Sequence, residues 1–216
     1  MQTISGDESR FFLLIYAAMI NTNPTNLAIL RGPVPLAHLI LRQFLQQGGQ
    51  AVDATCGNGQ DTLFLAEQVG ATGMVWAFDI QEEAISATME RLACADLAGQ
   101  VKAILCGHER IAEHVPATLN AVVFNLGYLP GGDRNIITRP ETTLAALENA
   151  LQLLLPQGVL AATIYPGHAG GAEEGRIIDD WAERLEPSHW HVWRMGQLNV
   201  ATDAPYLILV QKGVQK

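Results

Sequence analysis

A chain of 216 residues, 49% of them hydrophobic and with no linker-like stretch, is long enough to bury one substantial core, so one main domain is expected. The net charge of −9 excludes a generally basic nucleic-acid-binding surface, because phosphate contacts need clustered Lys and Arg. Cys56, Cys94 and Cys106 are too few and too irregular for a disulfide framework or a zinc site, and an odd count fits a reducing cytoplasm.

Phe11 to Ile20 is an apolar run about half the length of the roughly 20 residues that cross a bilayer, and Asp7 and Glu8 ahead of it speak against a signal peptide. It is read as part of an N-terminal helical extension over residues 1–33, broken near Pro24, that is dispensable for chemistry and serves stability or association. The main domain then covers residues 34–216. Pro35 opens an amphipathic helix in which Leu36, Leu39, Ile40, Phe44 and Leu45 share a face, and Gly48 and Gly49 end it.

From Gln50 to Thr62 the chain reads as a buried strand, a glycine turn and a helix. Ala51, Val52 and Ala54 suit a strand covered on both faces, Gly57 and Gly59 allow the sharp turn, and Leu63, Phe64 and Ala66 resume at helical spacing. Such a unit opens a doubly wound α/β sheet, whose ligands bind beyond the carboxyl ends of the strands. A dinucleotide fingerprint would need a third glycine where Thr62 stands, and a phosphate loop would need Gly-Lys-Ser/Thr. The turn carries Asp53, Asn58 and Asp61 instead. Carboxylates and amides suit a cationic amino-acid group, which makes S-adenosylmethionine a better ligand than NAD. About twenty residues on, the apolar run Met74 to Phe78 ends at Asp79, followed by Ile80 and Gln81, where doubly wound folds place the acid that accepts hydrogen bonds from a ribose.

Glu82 to Ala95 reads as a helix with Ala84, Ile85, Thr88, Met89 and Leu92 near one face, and Val101 to Leu105 as a third strand. That strand leads to Cys106, Gly107 and His108. His108 either edges the adenine or is a surface loop histidine. Asn120 to Phe124 is a fourth strand, and the helix from about Glu141 to Leu155 is stopped by Pro156-Gln-Gly158 before a strand through Tyr165. A helix over about Ala172 to Leu185 precedes two strands near His189 to Met195 and Pro205 to Val210, which form an antiparallel hairpin. His189 and His191 lack a third ligand, so no metal is expected. The result is a Rossmann-like seven-stranded sheet, mostly parallel with an antiparallel terminal hairpin, the architecture of class I S-adenosylmethionine-dependent methyltransferases. The cofactor-contacting set is Asp53, Gly57, Asn58, Gly59, Gln60 and Asp61 of the turn, Asp79 and Gln81 after the second strand, Gly107 and His108 after the third, and Asn125 after the fourth.

Four stretches, Asp53-Ala-Thr-Cys-Gly-Asn-Gly-Gln-Asp-Thr62, Phe78-Asp-Ile-Gln81, Phe124-Asn-Leu-Gly-Tyr-Leu-Pro-Gly-Gly-Asp133 and Tyr165-Pro-Gly-His168, carry a resemblance to a known family. The match runs from about Pro35 to the C-terminus. It is similar to a small bacterial family long labelled rRNA methylases, whose members methylate the aminomethyl group of 5-aminomethyl-2-thiouridine at the tRNA wobble position. Gln60 stands where many members have histidine, and Pro166 and Ala169 alter the block around His168.

The resemblance implies S-adenosyl-L-methionine as cofactor and the tRNA anticodon region as substrate; a cytoplasmic setting with neither a membrane nor a metal is the expectation from the residues above, and a homodimer is the candidate assembly. Arg31, Arg42, Arg110, Arg134 and Arg139 are the candidate local patch for an RNA backbone. Asn125 and Tyr128 echo the Asn-Pro-Pro-Tyr motif of amino-group methyltransferases, in which an amide holds a nitrogen and an aromatic ring stacks on the base. Asn125, Tyr128, Asp133 and His168 are the candidate catalytic residues, with Asp133 or His168 taking the proton. A methyltransferase for a small metabolite and a non-catalytic S-adenosylmethionine-binding protein are the alternatives.

Overall fold

A computed structural model describes residues 30–214, so the expected extension before residue 30 lies outside the described residues. One compact unit runs from Arg31 onward. Helix α1 spans Pro33–Leu41, strand β1 Gln50–Asp53, α2 Gln60–Val69, β2 Met74–Asp79, α3 Glu82–Cys94 and β3 Val101–Leu105. A short α4, Ile111–His114, precedes β4, Leu119–Leu126, and then come α5, Pro140–Leu153, β5, Leu154–Ile164, and α6, Gly171–Glu183. Strands β6, Trp190–Gly196, and β7, Tyr206–Lys212, close the chain.

The strands form one seven-stranded sheet in the order β3-β2-β1-β4-β5-β7-β6. Pairings through β5 are parallel, and β7 lies antiparallel to both β5 and β6. β1 and β4 are neighbours although the chain crosses outward in both directions from them, which makes their carboxyl ends the switch point of the sheet.

Side chains alternate between faces along a strand, so a sheet covered on both sides needs apolar residues at every position. One face packs Val52, Phe78, Val122, Phe124, Leu160 and Ile164 with residues of α5 and α6. The opposite face packs Ala51, Val75, Val123 and Val159 against Ala37 and Leu41 of α1, Phe64 and Leu65 of α2, and Leu92 of α3. The same alternation places Asp53 and Asn125, two residues beyond Ala51 and Val123, on the face that α1 and α2 cover.

Three local features differ from the expected pattern. α1 begins at Pro33 and buries Pro33, Ala37 and Leu41, whereas Leu39 is 46% exposed. The helix packs on β5 and β7, and the small Ala37 allows that approach where a Leu39 face would not. β4 continues through Asn125 and Leu126, so Asn125 stands on a strand rather than in the following loop. Pro156, Gln157 and Gly158 do not precede β5 but lie within it, where Gln157 takes φ +68° and the register against β4 shifts between Leu119 and Ala121, the geometry of a bulge.

The turn into α2 has little room. Gly59 takes φ +75°, and a Cβ on it would stand 2.8 Å from the Thr88 Cα of α3. Gly59→Ala should therefore cost about 1–3 kcal/mol of stability, read as a lowered urea midpoint with an unchanged m-value.

Candidate active site

A cleft of about 1190 Å3 opens over the carboxyl ends of β1, β2 and β4. Gly57, Asn58, Gln60 and Asp61 of the first turn, Asp79 and Gln81 after β2, Gly107 and His108 after β3, and Asn125, Tyr128 and His168 line it together. Two residues of the expected cofactor-contacting set stand elsewhere. Asp53 is fully buried beneath the turn and Gly59 faces Thr88, so neither belongs to the cleft wall.

Asp53 braces the turn from below. Its Oδ1 accepts from the Thr55 N–H at 3.2 Å and its Oδ2 from the Thr62 hydroxyl at 2.6 Å. Burial, together with the nearby Asp61 charge, pushes its carboxyl up to about 7. Thr55 passes the brace on, because its hydroxyl accepts the Asn125 backbone N–H at 2.7 Å.

Asp79 closes the β2 side of the cleft. Its Oδ2 accepts from the Gly57 N–H at 3.0 Å and its Oδ1 from the Gln81 N–H at 3.0 Å, so each carboxylate oxygen retains capacity to accept a further hydrogen bond. Burial raises its pKa, and the backbone N–H groups of Gln81, Gly57 and Ile80 oppose the rise. No lysine or arginine of residues 53–62 exists to meet a pyrophosphate, and Arg91, which holds the Asn58 carbonyl at 2.7 Å, is not on the cleft wall. The turn, the free lone pairs of Asp79 and the amide of Gln81 fit an uncharged ribose and an amino-acid group rather than a phosphate.

His108 is buried, edge-on to Phe124 with ring centroids 5.8 Å apart, and is not the surface loop histidine of the alternative reading. Burial lowers its pKa against the opposing effects of Glu109 and a backbone contact with Ala54, which keeps the ring neutral beside the cleft. Cys56 is also on the wall, and burial with the neighbouring Asp53 charge pushes its thiol up, so it is no nucleophile.

The second half of the site is built on β4. Asn125 Nδ2 donates to Asp61 Oδ2, while Asn125 Oδ1 is buried without a hydrogen-bond partner. Since the Asp61 carboxylate only accepts, the amide orientation follows from its partner. Asp61 Oδ1 meets His38 Nε2 of α1 at 2.5 Å, and the His38 ring stacks on Phe64 at 3.9 Å between centroids. Both carboxylate oxygens of Asp61 are thus engaged within the protein.

After β4 the chain folds into a loop pinned by a bridge between Tyr128 and Ile137 and by the Thr138 N–H donating to the Gly127 carbonyl at 2.9 Å. Asn58 Nδ2 ties this loop to the first turn through the Pro130 carbonyl at 3.1 Å. Tyr128 is 38% exposed at the rim, with the Arg134 guanidinium 5.7 Å from its ring centre. His168 meets Tyr128 edge-on at 5.9 Å; its Nδ1 faces the Ala169 carbonyl at 2.9 Å, so Nδ1 carries the hydrogen and the unpartnered Nε2 holds a lone pair. Asp133 is exposed, off the cleft wall, with its Oδ1 held by the Asn135 backbone and side-chain N–H groups. The structure therefore joins Asn125, Tyr128 and His168 and leaves Asp133 apart.

Of the five candidate arginines, Arg134 and Arg139 line the cleft, Arg31 is exposed ahead of α1, Arg42 lies over Phe64, and Arg110 is paired with Glu113 at 2.6 Å. Among the described residues no group of three His, Cys, Asp or Glu side chains converges as a metal site, and no helix is long and apolar enough to cross a membrane. His38, Thr55, Thr62 and Tyr165 join the site without having been singled out by sequence. Thr55, Thr62 and Tyr165 carried a signal, by their places in the Asp53–Thr62 and Tyr165–His168 stretches, and His38 carried none.

Residues 75–211 match the family described as "Putative rRNA methylase". A chloroplastic tRNA (mnm(5)s(2)U34)-methyltransferase of Arabidopsis thaliana is 39% identical over 188 residues, covering 82% of this chain and 68% of that protein. The chain belongs to this family. An rRNA methylase structure from Clostridium thermocellum is 38% identical with a TM-score of 0.83, over 85% of this chain and 99% of that one. A Streptococcus mutans methyltransferase structure, solved in complex with SAH, is 36% identical with a TM-score of 0.77, again over 85% and 99%. The architecture is that of class I S-adenosylmethionine-dependent methyltransferases.

The raised Asp53 carboxyl has a consequence for stability. In the unfolded chain it ionises near its ordinary 3.8 and in the fold near about 7, so between these values the folded state binds more protons and stability falls as pH rises. The destabilisation is absent below about 3.8 and complete above about 7. Asp53→Asn should flatten this decline, measured by urea denaturation at a series of pH values from 4 to 8; an unchanged slope would show that Asp53 is ionised throughout.

Proposed function

We propose that this protein uses S-adenosylmethionine to methylate the exocyclic aminomethyl nitrogen of 5-aminomethyl-(2-thio)uridine at the tRNA wobble position. The observation that carries the reading is the orientation of Asn125, a residue of the cleft wall whose Nδ2 is committed to Asp61 and whose Oδ1 is buried without a partner. An acceptor oxygen at the end of β4 suits a nucleophile that still carries an N–H. The name of the Arabidopsis relative supports the nucleoside and its position.

Within this reading each residue has a task derived from its place. Asp79 and Gln81 hold the ribose, and Gly57, Asn58 and Gln60 shape the pocket for the amino-acid part. Gly107 and His108 border the adenine, where a neutral imidazole adds no charge. S-adenosylmethionine, when bound, supplies the methyl group as an electrophile. Asn125 Oδ1 accepts one amine N–H and turns the nitrogen lone pair toward the transfer direction, a contribution of orientation. Tyr128, exposed at the rim, stacks on the base. His168 Nε2 takes the proton released by the amine, directly or through water. Arg134 and Arg139 face the polyanion.

The net charge of −9 favours one alternative, a small metabolite as acceptor. Assay on tRNA from cells that lack this gene, carrying the aminomethyl nucleoside, separates the two: the expected product gains one methyl group on the exocyclic amine by nucleoside mass spectrometry. No gain in mass with active, cofactor-binding enzyme would exclude the tRNA reading.

Two substitutions divide the cleft. Asp79→Ala removes acceptors worth roughly 1.5–3 kcal/mol per charge-assisted hydrogen bond, so affinity for S-adenosylmethionine should fall by about tenfold or more in calorimetry. Asn125→Ala should lose about 100-fold in kcat while cofactor affinity stays within about threefold, because the lost interaction orients the amine rather than the cofactor. Wild-type kcat in Asn125→Ala would remove the amine-orienting role.

A further inference from the structure

One part-buried polar contact lies behind the cleft wall. His38 belongs to α1, 23 residues before its partner Asp61 and outside the residues that line the cleft. Its Nε2 meets Asp61 Oδ1 at 2.5 Å, and the other oxygen of the same carboxylate receives Asn125 Nδ2. Asp61 is 7% exposed, so its carboxylate sits where an unmatched charge is costly. His38 is held on the far side by Phe64, whose ring lies parallel to it within 6°.

We propose that His38 is a positioning residue for methyl transfer, acting through Asp61 to fix the Asn125 amide with its Oδ1 toward the acceptor amine. The proposal rests on the amine-acceptor reading above and adds to it the reason why the amide cannot turn. A carboxylate held from behind by the imidazole N–H keeps its second oxygen as an acceptor aimed at Asn125. With that oxygen in place, only Nδ2 of Asn125 can face Asp61, and the carbonyl is left for the substrate. Without the imidazole N–H, the Asp61 carboxylate is free to rotate, and Asn125 loses the acceptor that fixes its amide.

Two variants separate the hydrogen bond from the packing. His38→Phe keeps an aromatic ring over Phe64 and removes the donor; His38→Gln keeps an N–H donor and removes the ring. Steady-state kinetics on aminomethyl-bearing tRNA, with cofactor affinity measured by calorimetry, is the readout. His38→Phe should lower kcat by about tenfold, with the KM for tRNA and the cofactor Kd within about twofold, and His38→Gln should recover most of the loss. A purely structural histidine predicts the reverse order, with Phe tolerated and Gln impaired, and that order would overturn the proposal, as would wild-type kcat in His38→Phe.

A second measurement needs no variant. In the wild-type protein the Asn125 side-chain NH2, assigned by NMR, should exchange slowly with solvent and show one proton displaced by the Asp61 carboxylate. Exchange at the rate of a free amide would overturn the proposal even if both variants failed to fold. Wild-type enzyme that binds S-adenosylmethionine but leaves the aminomethyl tRNA unmodified would instead overturn the substrate reading, with the protected amide still present.

Discussion

The carboxylate of Asp61 is the point at which three distant stretches of the chain meet. It lies in the first turn of α2, takes His38 from α1 on one oxygen and Asn125 from β4 on the other, and is shielded from water. Strand alternation makes the meeting unavoidable once the sheet forms. Asn125 has the parity of Ala121 and Val123, and that face is the one covered by α1 and α2. The neighbouring strand β1 shares the arrangement, since Asp53 has the parity of Ala51 and reaches Thr62 on the same helix. The end of β4 is therefore held twice, through its backbone by Thr55 and through the Asn125 side chain by Asp61.

This arrangement concentrates negative charge. Asp53, Asp61 and Asp79 all surround one glycine turn, and the rise of the Asp53 carboxyl to about 7 reflects burial first and the Asp61 charge second. Each acid is matched by donors rather than by cations: the Thr55 N–H and Thr62 hydroxyl for Asp53, two backbone N–H groups for Asp79, an imidazole and an amide for Asp61. Neutral donors orient a carboxylate without cancelling its charge, which leaves the cleft attractive to a cationic ligand. Stability given up at such a site is recovered in the apolar sheet beneath it.

The outer wall of the cleft depends on a further buried acid. Glu174, in the first turn of α6, accepts the Thr138 hydroxyl on one oxygen and the Thr143 hydroxyl on the other, each at 2.7 Å. Thr138 in turn donates its N–H to Gly127, so α6 anchors the returning arm of the loop that presents Tyr128. The rim is thus tied to the core at both ends while its tip, from Gly131 to Asn135, remains exposed. In the proposed reading, the ring at the rim takes the base of the nucleoside and the fixed amide at the base of the same loop takes its side arm.

Local pattern was enough to determine the order of strands and helices, the glycine turn and Asp79, because those depend on backbone geometry and on side-chain periodicity within one unit. Asn125 and Tyr128 were legible in one motif and His168 in another, and Asp133 was legible with the first, since a motif states proximity in sequence and not direction. Only the folded chain separates these four, turning Asp133 onto Asn135 and the others into the cleft. The apolar residues of α1 are compatible with more than one buried face, and packing on β5 and β7 selects Ala37 and Leu41 over Leu39. That same rotation brings His38 to Asp61. No sequence signal marks the contact, because a hydrogen bond between two helices depends on where the sheet places them and not on any spacing along the chain.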